Sequence, residues 1–160
     1  MKKLLLLLLF IPLVTFGQNF YSFEVNDELS VYLPGDVYYL DKKDDNGNLI
    51  YEELYNDDFE LVLTVYEKDA FDYFSDLTLF IDEVVDIMEF QKHSEYYKKN
   101  YSDGLSGLFH ITYSKDSDSN VIFGVIQDSF SKKLYEIDLT CLNIGSKTAR
   151  KIIESITIDN

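Results

Sequence analysis

Hydrophobic and polar residues alternate with a period of two over most of this chain, in short runs separated by polar breaks. Such alternation puts one row of side chains on each face of an extended backbone, so it predicts half-buried strands. The first two runs, 20–25 and 29–33, are parted by Asn26-Asp27-Glu28, and Pro34-Gly35 ends the second in a turn. Runs 37–40 and 49–54 follow, flanking Asp45-Asn46-Gly47-Asn48. Asn-Gly tolerates the positive φ angles of a tight hairpin turn, so these two strands are expected to pair. After Asn56-Asp57-Asp58, the run 59–66 carries apolar groups on both faces, as a central strand does.

The period then changes. Leu77, Phe80, Ile81, Val84, Val85 and Met88 recur at helical spacing, with Asp82, Glu83, Asp86 and Glu89 on the opposite side. Asp76 is placed to cap this helix, since its carboxylate can accept from the unpaired amides of the first turn. The helix is expected to end near Gln91 and to give way to a polar, tyrosine-bearing connection over 93–106. Three more strands follow at 108–113, 121–126 and 135–142, joined by short polar links as an antiparallel meander. A closing helix starts at Gly145-Ser146, with Ser146 as N-cap and Ala149, Ile152, Ile153 and Ile156 as its buried stripe. The order β-β-β-β-β-α-β-β-β-α predicts an α+β fold, an antiparallel β-sheet packed with helices.

The start of the chain has a different pattern. Met1-Lys2-Lys3 is a basic opening, residues 4–14 are apolar except for Pro12, and Thr15-Phe16-Gly17 supplies small residues before Gln18. This reads as a signal peptide over 1–17, too short for a spanning helix of about 20 apolar residues. The remaining residues, 18–160, are expected to form one domain with no integral membrane segment, secreted or periplasmic. Loss of the leader removes two of 14 basic side chains and none of 29 acidic ones, so the net charge falls from −15 to −17. That balance excludes a general nucleic-acid binder, which needs a basic footprint. With 46% hydrophobic residues the chain is too apolar to be disordered. Its single cysteine, Cys141, excludes an intrachain disulfide, and its place on the apolar row of a strand predicts an inert buried thiol.

Candidate chemistry is sparse. Asp44, Asn46, Gly47 and Glu53 fall at calcium-loop spacing, but Lys42 stands where the first carboxylate belongs. Asp116, Asp118 and Asn120 have the spacing of three oxygen ligands, yet Val121 replaces the turn glycine. Charged hairpin tips explain both segments, and a weak calcium-responsive module is the functional alternative. His93 and His110 are the only histidines, and a hydrolase using either with nearby carboxylates is the enzymatic alternative. No zinc spacing, G-x-S-x-G elbow or glycine-rich phosphate loop occurs, so no catalytic residue, metal ligand or cofactor is assigned.

The 13 tyrosines and 12 phenylalanines are the remaining unusual feature. They cluster as Tyr38-Tyr39, Tyr51 with Tyr55, Tyr96-Tyr97 with Tyr101, and Tyr66 with Phe71, Tyr73 and Phe74. Core filling explains the phenylalanines. For Tyr96, Tyr97 and Tyr101, packing and a contact surface are both open readings.

The order of elements over 20–158 resembles the PsbP-like superfamily, which includes the extrinsic photosystem II subunit and the bacterial DcrB-like envelope proteins. The residues that carry the likeness are Tyr21-Ser-Phe-Glu-Val25 leading to Val31-Tyr-Leu-Pro34, the long strand 59–66 before an acidic helix, and Ala149-Arg-Lys-Ile-Ile-Glu-Ser-Ile156. The resemblance implies an α/β/α sandwich and an accessory, non-enzymatic role, and it transfers no site residue. The expected function is an exported, non-catalytic binding or assembly factor of the bacterial envelope, contacting a protein or small ligand. Its expected binding residues are Phe71, Tyr73, Phe74, Tyr96, Tyr97 and Tyr101.

Overall fold

The alternating runs pair into two antiparallel sheets in a computed structural model that describes residues 19–26, 29–45, 47, 49–66, 76–89, 91–92, 96–102, 104–114 and 118–158. Among the described residues the chain forms β1 (Phe20–Asn26), β2 (Leu29–Pro34), β3 (Tyr38–Lys43), β4 (Leu49–Tyr55), β5 (Phe59–Tyr66) and α1 (Leu77–Ile87). There follow β6 (Gln91–Lys92), β7 (Tyr97–Ser102), β8 (Leu105–Ser114), β9 (Ser119–Asp128), β10 (Lys133–Cys141), α2 (Ser146–Glu154) and β11 (Thr157–Ile158). The small sheet has the order β1-β2-β11, and the large one runs β3-β4-β5-β10-β9-β8-β6 with β7 also paired to β8.

Alternation along β10 sets the two faces of the large sheet. Tyr135, Ile137, Leu139 and Cys141 point into the main core, and Leu134, Glu136, Asp138 and Thr140 point the other way. The main core joins Val31 and Leu33 of β2, Leu61 and Leu63 of β5, and Ile152 and Ile153 of α2. On the opposite face Phe80, Ile81 and Val85 of α1 pack on Leu108, Phe123, Val125 and Leu134. Asp76 caps α1 as its position predicts, accepting from the amides of Thr78 at 2.9 Å and Leu79 at 3.4 Å. Gly47 adopts φ +85° and its amide donates to Asp44 O at 3.0 Å, a turn at the predicted β3–β4 hairpin.

The predicted α+β arrangement, a sheet packed with helices as an α/β/α sandwich, is not what forms. Among the described residues the molecule is mostly antiparallel β-sheet in two sheets, with two short helices of 11 and 9 residues. The reason is one of width. Seven strand positions at about 4.8 Å spacing make a sheet about 29 Å across, whereas one helix covers only about 10 Å. A second sheet therefore shares one face with α2, and α1 covers only part of the other.

Several element boundaries also differ from expectation. The segment read as a loop contains β7, paired to β8 with Tyr97 opposite Phe109 and Asn100 opposite Ser106. Lys99, on the inward row between Tyr97 and Tyr101, interrupts its apolar alternation. Helix α1 stops at Ile87 rather than near Gln91, because Glu89 takes φ 54° and Gln91 already pairs with Tyr113. At α2 the N-cap is Gly145, without a side-chain cap bond, and Ser146 is the first helical residue.

Gly124 of β9 is the tightest point of the large sheet. A Cβ there would run into the Phe109 ring and lie 2.6 Å from the Leu108 carbonyl oxygen. Phe109 is itself fully buried, so it has no room to retreat. Gly124→Ala should cost about 1–3 kcal/mol, the usual range for overpacking a close-packed core. Chemical denaturation would show this as a lower midpoint at unchanged slope; an unchanged midpoint would mean that β8 and β9 can separate freely here.

Candidate functional site

Of the aromatic residues singled out from the sequence, the three that are described, Tyr96, Tyr97 and Tyr101, do not face the same way. Phe71, Tyr73 and Phe74 lie outside the described residues. Tyr97 faces α2, where its hydroxyl donates to Glu154 Oε1 at 2.8 Å and the Arg150 guanidinium sits 5.5 Å from its ring centre. Tyr101 lies on the same side and donates to the Ile153 carbonyl at 2.8 Å. Burial pushes the phenols of Tyr101 and Tyr97 up, and the Glu154 carboxylate adds to both shifts. Tyr96 faces the other way, its ring 4.9 Å from that of His110, and burial together with Asp82 of α1 raises its phenol. Tyr97 and Tyr101 thus tie β7 to α2, while Tyr96 packs beside α1.

The chemical alternatives are placed as follows. His93, Asn46 and Asp116 lie outside the described residues. His110 is 2% exposed and stacked on Tyr96, so its imidazole is sealed from an incoming substrate. Asp118 accepts from the Tyr113 hydroxyl at the β8–β9 turn. Among the described residues no group of three histidines, cysteines or carboxylates is arranged to hold a metal. Cys141 is buried, and burial, with Asp138 nearby, pushes its thiol up to about 11, which keeps it protonated and unreactive. An open recess of about 430 Å³ is lined by Tyr21, Asp36, Asn56, Asp57 and Asp58 among others. Its central amide, Asn56, is committed to structure: it donates to Asp36 O at 3.1 Å and accepts from the amides of Asp58 and Phe59.

Two features were not singled out as sites from the sequence. The first is a row of acids on the outer face of β5 and β10, where Glu60, Glu136 and Asp138 share adjoining rungs. Tyr66 donates to Glu136 Oε2 at 2.9 Å, but Asp138 Oδ1 is buried with no hydrogen-bond partner among the described residues. Burial, then Glu136 and Glu60, pushes the Asp138 carboxyl up to about 7. Burial also raises Glu136, and burial with Glu60 raises Glu53 of β4. The alternation of 134–142 carried the signal for this row, because only charged or polar residues stand between its apolar ones after Leu134.

The second is the β3–β4 arm at the end of the large sheet. All six residues of β3 are exposed, and among the described residues no strand pairs with its outer edge. β4 pairs with β5 only over Glu52 to Tyr55, so the rest of the hairpin projects beyond the sheet. Tyr38 is 69% exposed and Leu40 45%, both on the face opposite the main core, where the Tyr38 and Tyr55 rings pack at 5.6 Å. On the other face Tyr39 donates to Glu52 Oε1 at 2.7 Å, a bond that pushes its phenol up to about 12. Glu52 is 4% exposed and lies where β4 pairs with β5, so this bond ties β3 to the anchored end of β4. The clusters Tyr38-Tyr39 and Tyr51 with Tyr55 were visible in the sequence. That their strand lies at a free edge was not.

No protein-family model matches the chain, and no relative is found among curated proteins.

The acid row makes stability depend on pH with a definite sign. The folded-state pKa of Asp138, about 7, lies above its ordinary value of 3.8, so the fold favours the protonated form. Asp138 therefore weakens the fold above pH 7, and the penalty is relieved as pH falls toward 4. Asp138→Asn should raise the urea midpoint at pH 8, change it little at pH 4, and flatten the slope between. A variant that keeps the wild-type slope would show that this carboxylate is solvated.

Proposed function

We propose that the protein is an exported, non-catalytic binding factor of the cell envelope that holds an extended protein segment along the outer edge of β3. The observation that carries this reading is the edge itself: a strand with no neighbour on its outer side among the described residues, exposed along its full length, and carrying Tyr38, Tyr39 and Leu40 beside Tyr55. Alternate residues of an edge strand present unpaired N–H and C=O groups, which an added strand satisfies in a fixed register. Main-chain bonds then supply affinity, and the side chains on either face supply discrimination. Tyrosine suits such a surface, since it offers a large rigid area with a hydroxyl that stays wet. The Tyr39–Glu52 bond ties β3 to β4 beforehand, so less ordering is lost on binding.

Export is supported by the leader-like pattern of 1–17, a segment outside the described residues. Among the described residues no helix is long and apolar enough to cross a membrane.

Two measurements test the reading. Tyr38→Ala combined with Leu40→Lys alters only exposed side chains, so the thermal midpoint should stay close to wild type. Binding of envelope proteins to the immobilised variant should fall at least several-fold; binding equal to wild type would remove β3 as the contact edge. Intact-mass analysis of the chain after expression in a bacterial host should show an N-terminus at Gln18, and a retained Met1 would overturn export through a cleaved leader.

A further inference from the structure

We infer that the strand which docks on β3 is β3 of a second copy of this chain, antiparallel and centred on Leu40. The inference rests on the reading of β3 as a docking edge and names its occupant.

Symmetry narrows the choice sharply. A two-fold axis that continues a sheet edge to edge stands perpendicular to it, so it keeps each side chain on its own face. Directly opposed residues in an antiparallel pair share a face. One residue of β3 must therefore sit opposite itself. Over Tyr38–Lys43, only centring on Leu40 or on Asp41 allows five opposed pairs. Centring on Asp41 sets two carboxylates against each other and puts Leu40 opposite Lys42, and like charges directly opposed are destabilising. Centring on Leu40 sets leucine against leucine, Tyr38 against Lys42, and Tyr39 against Asp41.

The opposed side chains are complementary in chemistry. Tyr38, Leu40 and Lys42 project from the same face, the one away from the main core. There Lys42 of one copy meets the Tyr38 ring of the other, already packed on Tyr55 at 5.6 Å, a platform suited to a cation. On the other face Asp41 is neutralised within its own strand by Lys43, at 2.6 Å, so it brings no bare charge to the pair. Edge lysines normally discourage strand addition; in this register each of them is accommodated. The net charge of −17 without the leader works against association at low salt, but the strand itself carries one acid and two lysines, and distant charges are screened beyond about 8 Å at physiological ionic strength. A five-rung pair is small beside the ~1,600 Å² of a standard interface, so the dimer is weak and depends on concentration.

Disulfide trapping reads the register directly. Opposed residues in an antiparallel pair have Cα atoms about 4.5–5.5 Å apart, within disulfide reach, whereas residues two rungs out of register lie beyond the limit of about 7 Å. Leu40→Cys in the exported protein should cross-link to itself under mild oxidation, roughly tenfold more than Asp41→Cys, the out-of-register control. A mixture of Tyr39→Cys and Asp41→Cys should cross-link between the two variants. Wild type, whose one thiol is buried, should stay uncross-linked, and its sedimentation coefficient should rise with concentration. Equal cross-linking of Leu40→Cys and Asp41→Cys, or a wild-type monomer at all concentrations, would overturn the inference. If the monomer persists while Tyr38→Ala/Leu40→Lys still abolishes envelope-protein binding, the docking edge stands and its occupant is another protein. If that variant binds as wild type does, the edge reading fails as well.

Discussion

The large sheet is wider than the elements described as covering it, and the other features of the molecule follow from that mismatch. A sheet hides its apolar side chains only where something packs on them. The small sheet and α2 build the main core on one face, and α1 covers the β8–β9 region of the other. Where the described elements provide no apolar cover, the residues are of another kind. Along β5 and β10 they are mostly acids and threonine, with Val62 among them, and along β3 and β4 they are tyrosines, Lys42, Glu53 and a few exposed aliphatics. Composition thus tracks coverage across the sheet.

That division separates structural from available side chains. Tyr97, Tyr101 and Tyr96 look from the sequence like loop tyrosines, but each has a packing role: two hold α2 against β7 and one lies beside His110 near α1. Tyr38 and Tyr55 have the same composition and the opposite fate, because their strands reach the end of the sheet. The acid row is a different compromise. Burial raises the proton affinity of Asp138, and Glu136 and Glu60 on the adjoining rungs add to it. A row of this kind weakens the fold at neutral pH and above, in a protein with no shortage of acids elsewhere.

Local signals in the sequence were reliable where a single residue's chemistry decides the outcome. Asp76 caps α1, the Asn-Gly segment marks the β3–β4 turn, and Cys141 lies on the apolar row of its strand. They failed where the outcome depends on what packs from elsewhere. β7 carries no clear alternation because Lys99 stands between its inward tyrosines and Lys98, Asn100 and Ser102 fill the other row, a pattern that also suits a polar loop. The fold class escapes for a similar reason: two helical stripes are plain in the sequence, but the width of the sheet they meet is set by seven strand pairings, one of which joins β5 to β10 across half of the chain.

The sequence by itself determined eight of the described strands, all but β6, β7 and β11, the two described helices and which row of each is apolar, since periodicity is a property of neighbours along the chain. It also set the acidic surface charge and left no local catalytic motif. Only the tertiary structure decided that the β1-β2-β11 sheet shares a face of the large sheet with α2, that Glu60, Glu136 and Asp138 stand together, and that β3 has no neighbour among the described residues on its outer side. Strand order is fixed by pairing between segments far apart in the chain, and no periodicity records which strand comes last.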